Sequence, residues 1–405
     1  MTTPDLGPLP DAPLGVAVSG GGDSIALLML LHQAGYSLQV ATVDHQLRPE
    51  SLDEAHDVAA LCATLGISHR VLVWDRGDTT GNLQNEARKA RQKLLTDWAQ
   101  TAGLAHIVLG HTLDDQAETV LMRLARGSGV DGLAGMAAQR HAGGLCWHRP
   151  LLAVRRADLR GYLRDIGIGW VDDPSNDDLK YDRIKARRAL DILAPLGLGA
   201  ERLAETARHM CRARTALEAV TADLADRSIA ITDAGEVQIT FEPFSVAPRE
   251  IQLRLLSSAL GWVANAPYRP RFSALDGLLD TCLAKPAFGN TLHGCKISRN
   301  QVIITINREI AATPPLAAVT VTWDNRWDVE AVDDKDIKIK ALGGHGLQFC
   351  PMWRDSDHSR TALMASPSLW RDGLLVAAPL ANFGDKWMVN LAGGKKGFYD
   401  HLTTH

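Results

Sequence analysis

Paired cysteines are the first thing this chain lacks. Its six cysteines, Cys62, Cys146, Cys211, Cys282, Cys295 and Cys350, are scattered with no C-x-x-C. That argues against a zinc ribbon, a thioredoxin-like site or a dense disulfide framework, and it points to a reducing cytosol. No run reaches the roughly 18 apolar residues of a membrane span. The opening MTTPDLGPLPDAPLG has neither the basic nor the apolar region of a secretory signal. A cytoplasmic protein with no membrane partner is therefore expected. Positive charge is not in excess either: 43 Lys and Arg stand against 47 Asp and Glu, a net charge of −4. Any nucleic-acid contact must come from local basic patches. A Walker A loop, G-x-x-x-x-G-K-S/T, is absent, as are internal repeats and low-complexity tracts.

What is present is a soluble globular composition, 46% apolar and 22% charged, over 405 residues. That is too long for one core and implies two or three domains. A short apolar run, Leu14 to Val18, stops at Ser19-Gly20-Gly21-Gly22-Asp23-Ser24, and a helical pattern follows at once. Three glycines allow positive φ and let main-chain N–H groups approach an anion, while the new helix turns its positive end to the same point. The stretch reads as a phosphate cradle.

Strands are expected at Leu14 to Val18, Leu38 to Val43, Arg70 to Trp74 and His106 to Leu109. Helices are expected between them at about Ser24 to Ala34, Ser51 to Leu65 (opened by a capping box, Ser51 with Glu54) and Leu83 to Thr101. This alternation predicts an α/β fold with a doubly wound parallel sheet, whose ligands sit at the carboxyl ends of strands. The glycine turn, Asp44-His45 and His111 all fall at that edge. Gly127-Ser128-Gly129-Val130-Asp131-Gly132 fits G-x-G-x-x-G but follows a helix, Asp115 to Arg126, so it reads as a C-capping loop rather than a dinucleotide fingerprint. The catalytic domain is placed at 1–195, a mainly helical tRNA-contacting domain at 200–312, and a β-rich domain at 316–405 beyond Pro314-Pro315. Trp323, Trp327, Trp353, Trp370 and Trp387 in the last read as core or as base-stacking residues.

Ser-Gly-Gly-x-Asp-Ser resembles the PP-loop of the ATP pyrophosphatases. Further stretches narrow the resemblance to the tRNA(Ile)-lysidine synthases: Asp44-His45-Gln46-Leu47-Arg48-Pro49-Glu50-Ser51, Asn85-Glu86-Ala87-Arg88 with Arg91, Gly110-His111-Thr112-Leu113-Asp114-Asp115-Gln116-Ala117-Glu118-Thr119, Arg126-Gly127-Ser128-Gly129, Arg149-Pro150-Leu151-Leu152 and Asp173-Pro174-Ser175-Asn176. They run in order over roughly residues 14 to 190. The resemblance implies an enzyme that uses ATP and L-lysine to convert the wobble cytidine of isoleucine tRNA with a CAU anticodon into lysidine. A homodimer is compatible with the sequence.

The residue types suit that chemistry. Ser19, Gly20, Gly21, Gly22, Asp23 and Ser24, with Mg2+ on Asp23, would hold the triphosphate. By resemblance Asp44, His45, Gly110 and His111 surround the nucleotide, and Arg91, Asp115 and Glu118 bind lysine. Asp115 and Glu118, three apart, share a helix face, although in isolation they would read as acids favoured by the helix dipole. The catalytic set is Asp23, Asp44, His111, Asp115 and Glu118. Arg183 and Arg187 are expected to face tRNA phosphates. The family pattern there departs in this chain at Ile184 and Lys185, and a lysine cannot supply a guanidinium fork. A PP-loop tRNA thiolase would be expected to carry C-x-x-C, which is missing. A binding protein that had lost catalysis would be expected to lose Asp23, Asp115 or Glu118, which are all present.

Overall fold

A computed structural model of the protein describes residues 4–46, 51–75, 83–171, 180, 182–266, 268–384 and 387–403, without the side chains of 51, 83–85 and 403. The Leu47-Arg48-Pro49-Glu50 stretch, the Asp173-Pro174-Ser175-Asn176 element, Tyr181 and the Ser51 side of its capping box lie outside the described residues. The chain divides into two compact units, Met1–Arg214 and Thr215–His405.

The first unit alternates as its sequence periodicity predicts: β1 (Leu14–Ala17), α1 (Gly22–Gln33), β2 (Leu38–Asp44), α2 (Ser51–Thr64), β3 (Ser68–Val73), α3 (Leu83–Thr101), β4 (His106–Leu109) and α4 (Leu113–Leu124). After them come α5 (Val130–Leu133), β5 (Gln139–Ala142), β6 (Leu145–His148), α6 (Arg156–Asp165), α7 (Asp182–Leu193) and the start of α8 (Ala200–Ser228). The sheet order is β3-β2-β1-β4-β6-β5. All pairs are parallel except the β5–β6 edge hairpin. That hairpin is an element sequence reading missed, because two four-residue strands, one polar and largely exposed and the other wholly buried, are too short to show a period.

Alternation along the strands sends Leu14, Val16, Val18, Val40 and Val108 into a core with α1, α2 and α6. It sends Ala17, Ala41, Ile107 and Leu109 into a second core with Leu95, Trp98 and Ala99 of α3. Helix α1 is wholly buried from Ser24 to Leu31. Each buried leucine there contributes about 2 kcal/mol of apolar burial. Such a helix cannot leave the sheet, so the loop before it is held rigidly. The chain order reverses between β1 and β4, the place where doubly wound sheets open a crevice.

The Gly127 loop ends α4 as a helix stop. Gly127 has φ 70°, its N–H bonds the Leu124 carbonyl, and the Ser128 N–H bonds the Arg123 carbonyl, the pattern of a Schellman cap.

In the second unit, helices Arg249–Ala264 and Phe272–Ala284 share one core with a five-stranded antiparallel sheet built from Ile229–Ile231, Val237–Thr240, Phe288–Leu292, Cys295–Arg299 and Ile303–Arg308. A further five-stranded sheet and a three-stranded sheet carry the C-terminal segment. Trp323, Trp327, Trp370 and Trp387 are buried, which makes them core residues. Among the described residues no helix is long and apolar enough to cross a membrane.

Candidate active site

The loop after β1 is organised by its two serines. Ser24 Oγ donates to the Gly21 carbonyl at 2.9 Å and accepts from the Ser19 N–H at 3.1 Å. Gly20 takes φ +86°, a conformation side chains resist, and its carbonyl accepts the Val171 N–H at 3.1 Å. Helix α1 starts at Gly22 with Gly21 as its N-cap and no side-chain cap, so the first N–H groups of the helix are left for an anion. Gly110 closes the loop from the β4 side. A Cβ on Gly110 would lie 3.0 Å from the Asp23 carbonyl oxygen and 3.2 Å from Ser24 Cα, so only glycine lets the two strand ends approach.

Helix α4 begins at the same edge. Thr112 caps it reciprocally: Asp115 Oδ2 accepts from the Thr112 N–H at 2.8 Å, and Thr112 Oγ1 accepts from the Asp115 N–H at 3.3 Å. Glu118, one turn on, is 1% exposed. Asp114 points elsewhere. Its carboxylate accepts the Arg156 N–H at 2.7 Å and pairs with Arg155 at 3.0 Å, which bolts the start of α6 to the start of α4. Arg155 also pairs with Glu201.

Arg156, delivered by that bolt, is the residue sequence reading missed. Its Nε donates to Asp23 Oδ2 at 2.8 Å and its Nη2 to Asp115 Oδ1 at 3.2 Å, and its Nη1 lies 3.5 Å from Glu118 Oε1. One guanidinium thus binds a carboxylate from the glycine loop and two from α4. Burial disfavours its charge, but the three carboxylates outweigh that and raise its pKa above the ordinary arginine value. For Asp115 burial is again the largest influence and is again overcome, by Arg156, Arg183 and the Thr112 N–H, so its pKa is lowered. For Asp23 burial wins and the pKa is raised. Arg156 falls in a basic amphipathic pattern, Arg155 to Ile166, which normally marks a solvated face and so gives no cue to this role.

Arg183 and Arg187, read as facing tRNA, turn toward Glu118 at 3.5 and 3.0 Å while staying 41% and 35% exposed at the side chain. Ile184 is buried between them and Lys185 pairs with Asp182 at the surface. Toward β2 the arrangement changes. Ser19, His45 and Arg91 line a cavity of about 80 Å³ with Ala17, Val18, Ala41 and Val43. Arg91 therefore borders the glycine loop, and its charge also acts on His111. Burial, and then Arg91, lower the pKa of His45 against the pull of Asp44. Asp44 is buried and accepts the Gln46 N–H at 2.8 Å. Burial also dominates at His111. Asp115 opposes it, but Arg149, Arg91 and Arg183 reinforce it, and the imidazole is pushed down to about 3. Arg88 and Arg149 are likewise lowered by burial and by neighbouring arginines that include Arg140, and Arg88 also feels Arg183. This clustering of like charge marks a local basic patch.

A glycine loop at the switch point of a doubly wound sheet, backed by acidic residues, defines an ATP-using PP-loop protein. A model of the PP-loop domain matches residues 5–192. The chain is 45% identical to the tRNA(Ile)-lysidine synthase of Ruegeria pomeroyi, over 98% of this chain and 95% of that one. It is 36% identical to the tRNA(Ile)-lysidine synthase of Wolbachia pipientis wMel, over 92% and 89%. Among solved structures, the U34-tRNA thiolase NcsA from Methanococcus maripaludis is similar at a TM-score of 0.44 and 17% identity, over 50% of this chain and 74% of that one. The chain belongs to the tRNA(Ile)-lysidine synthases, as its N-terminal motifs implied, and is a tRNA-modifying, ATP-using enzyme.

Proposed function

We propose that the enzyme joins L-lysine to C2 of the wobble cytidine of isoleucine tRNA bearing a CAU anticodon, giving lysidine, AMP and pyrophosphate, in the cytoplasm. The observation that carries this reading is the convergence of Asp23, Asp115 and Glu118 on one guanidinium beside the phosphate loop.

In the first step the cytidine O2 attacks the α-phosphorus of ATP, and pyrophosphate leaves. Ser19, Ser24 and the N–H groups of Gly20, Gly21 and Gly22 hold the phosphates, with Asp44, His45, Gly110 and His111 around the nucleotide. Asp23 fits a Mg2+ ion: its Oδ1 is buried and has no hydrogen-bond partner, and carboxylate oxygen suits that cation. When bound there, Mg2+ supplies charge neutralisation at the departing pyrophosphate.

In the second step the lysine side-chain amine attacks C2 and AMP leaves. With a pKa near 10.4, only about one such amine in 2,500 is neutral at pH 7. Asp115 and Glu118 hold the lysine α-ammonium, and Arg91 holds its carboxylate. The neutral amine brings two protons; once its nitrogen has bonded to C2 it is acidic and gives up one of them, which even a carboxylate of low basicity such as Asp115 accepts. Arg183 and Arg187 hold Glu118 in place and present the exposed part of their charge to tRNA phosphate, together with Arg88, Arg140 and Arg149. Residues 200–312 contribute further tRNA contact, with 316–405 as a separate β-rich domain.

Incubation with ATP, Mg2+, labelled lysine and unmodified CAU-anticodon isoleucine tRNA tests the reading. Lysine is expected to enter the tRNA with one pyrophosphate released per lysine. Pyrophosphate release without lysine incorporation, restored by another amine or a sulfur donor, would overturn it.

A further inference from the structure

A second cluster of ligand-type side chains lies at the start of β4, the end opposite Gly110 and the glycine loop, and takes no part in the chemistry above. Parallel pairing sets His106 beside Cys146 of β6. His148 follows two residues along β6, so strand alternation puts all three on one face of the sheet. Their donor atoms lie within 4.8 Å of one another. His106 Nδ1 and His148 Nε2 are 3.1 Å apart, close to the roughly 3.3 Å edge of a tetrahedron with metal–nitrogen bonds of about 2.0 Å. Cys146 and His148 are buried. His148 Nδ1 is also buried and has no hydrogen-bond partner, so the His106–His148 hydrogen bond leaves one nitrogen unmatched in either tautomer. Antiparallel pairing adds exposed His141 of β5, directly opposite Cys146 and hence on the same face.

We propose that His106, Cys146 and His148 bind one divalent cation of the zinc class, with His141 or water in the fourth position, and that this ion ties the β5–β6 edge hairpin to β4. One thiolate with two or three imidazoles is a donor set for Zn2+, whereas Mg2+ takes oxygen. On binding, the Cys146 S–H proton passes to solvent as the sulfur–metal bond forms, and the imidazoles bind neutral. The hairpin leads directly into Arg149 and Pro150, so the ion would steady the basic residues at that edge without meeting substrate.

Titration of the full chain with Co2+, after dialysis against a chelator, tests this. The wild type is expected to take up one Co2+ per chain with a thiolate-to-cobalt charge-transfer band and the ligand-field bands of a tetrahedral ion, and Zn2+ should displace it. Cys146→Ser should abolish the charge-transfer band, His148→Gln should weaken binding at least tenfold, and Asp23→Asn should change neither. Zn2+ should raise the melting temperature of the wild type and not that of His148→Gln. Melting in chelator identifies which variants fold, and His106→Gln, at the half-exposed side of the cluster, replaces any that do not. A wild type with no charge-transfer band at one equivalent, or a folded Cys146→Ser that keeps the band, overturns the proposal.

Discussion

Arg156 Nε donates to Asp23 Oδ2 at 2.8 Å, joining the glycine loop to the first turn of a helix 133 residues later. The same guanidinium faces Asp115 and Glu118, so a resident cation lies among three carboxylates that would otherwise repel one another. On the proposed mechanism it positions them for ATP and for lysine, and yields part of its contact when either arrives.

Arg156→Ala is therefore expected to lower kcat by about 100-fold, the scale for lost positioning. It should also cost roughly 3 kcal/mol of stability by leaving buried carboxylates unpaired. Without the guanidinium the pKa values of Asp23 and Asp115 rise, so the acidic limb of the kcat profile should move to higher pH. Arg156→Lys should return that limb while recovering only part of the rate, because lysine lacks the fork. An Ala variant whose pH profile is unmoved would reduce Arg156 to a purely structural role.

Glu118→Gln should separate the two steps. It removes the counter-charge of Arg183 and Arg187 and, on the proposed mechanism, a ligand of the lysine ammonium. The lysine KM is expected to rise about 10- to 100-fold, the range for a hydrogen bond to a charged group. Pyrophosphate release on tRNA should persist. An equal rise in the KM for ATP would place Glu118 in general scaffolding instead.

Gly110→Ala tests the close approach of β4 to the loop. Its Cβ would meet the Asp23 carbonyl and Ser24 Cα, both backbone, which cannot rotate away. A destabilisation of about 1–3 kcal/mol is expected, with a higher KM for ATP. Gly169→Ala, whose Cβ meets nothing within 4 Å, is the control and should leave stability unchanged in denaturant titration.

His111 sets a pH dependence of stability. Its imidazole stands near 6.5 in the unfolded chain and is pushed down to about 3 in the fold. Between those values the unfolded state holds a proton that the folded state refuses, so stability falls as pH drops through that window. Urea midpoints measured from neutral pH to about pH 5 should decline less steeply in His111→Gln than in the wild type. Parallel declines would mean that another group carries the dependence.

The phosphate loop was legible because its information is local: the apolar run, the three glycines and the helix pattern are contiguous, and the buried α1 follows from Ile25 to Leu31 alone. The acidic pair was legible for the same reason, since Asp115 and Glu118 lie three apart on one helix. The reciprocal cap that fixes Asp115 also lies in the Thr112-Leu113-Asp114-Asp115 tetrapeptide, but its aspartate departs from the usual glutamate or glutamine signal. The β5–β6 hairpin was not legible. Nor was the inward turn of Arg183 and Arg187, because a basic run reads the same whether its charge meets solvent, phosphate or a buried glutamate.

By itself, then, the sequence determined the phosphate-binding loop, the order of strands and helices from β1 to α4 and the family of the enzyme, all of which rest on neighbours along the chain. Only the tertiary structure decided that Arg156 stands among Asp23, Asp115 and Glu118, that Arg91 borders the glycine loop, and that His106 meets Cys146 and His148. Each of those pairings spans a crossover of the sheet, and strand order and register, not local periodicity, set which distant side chains share a face.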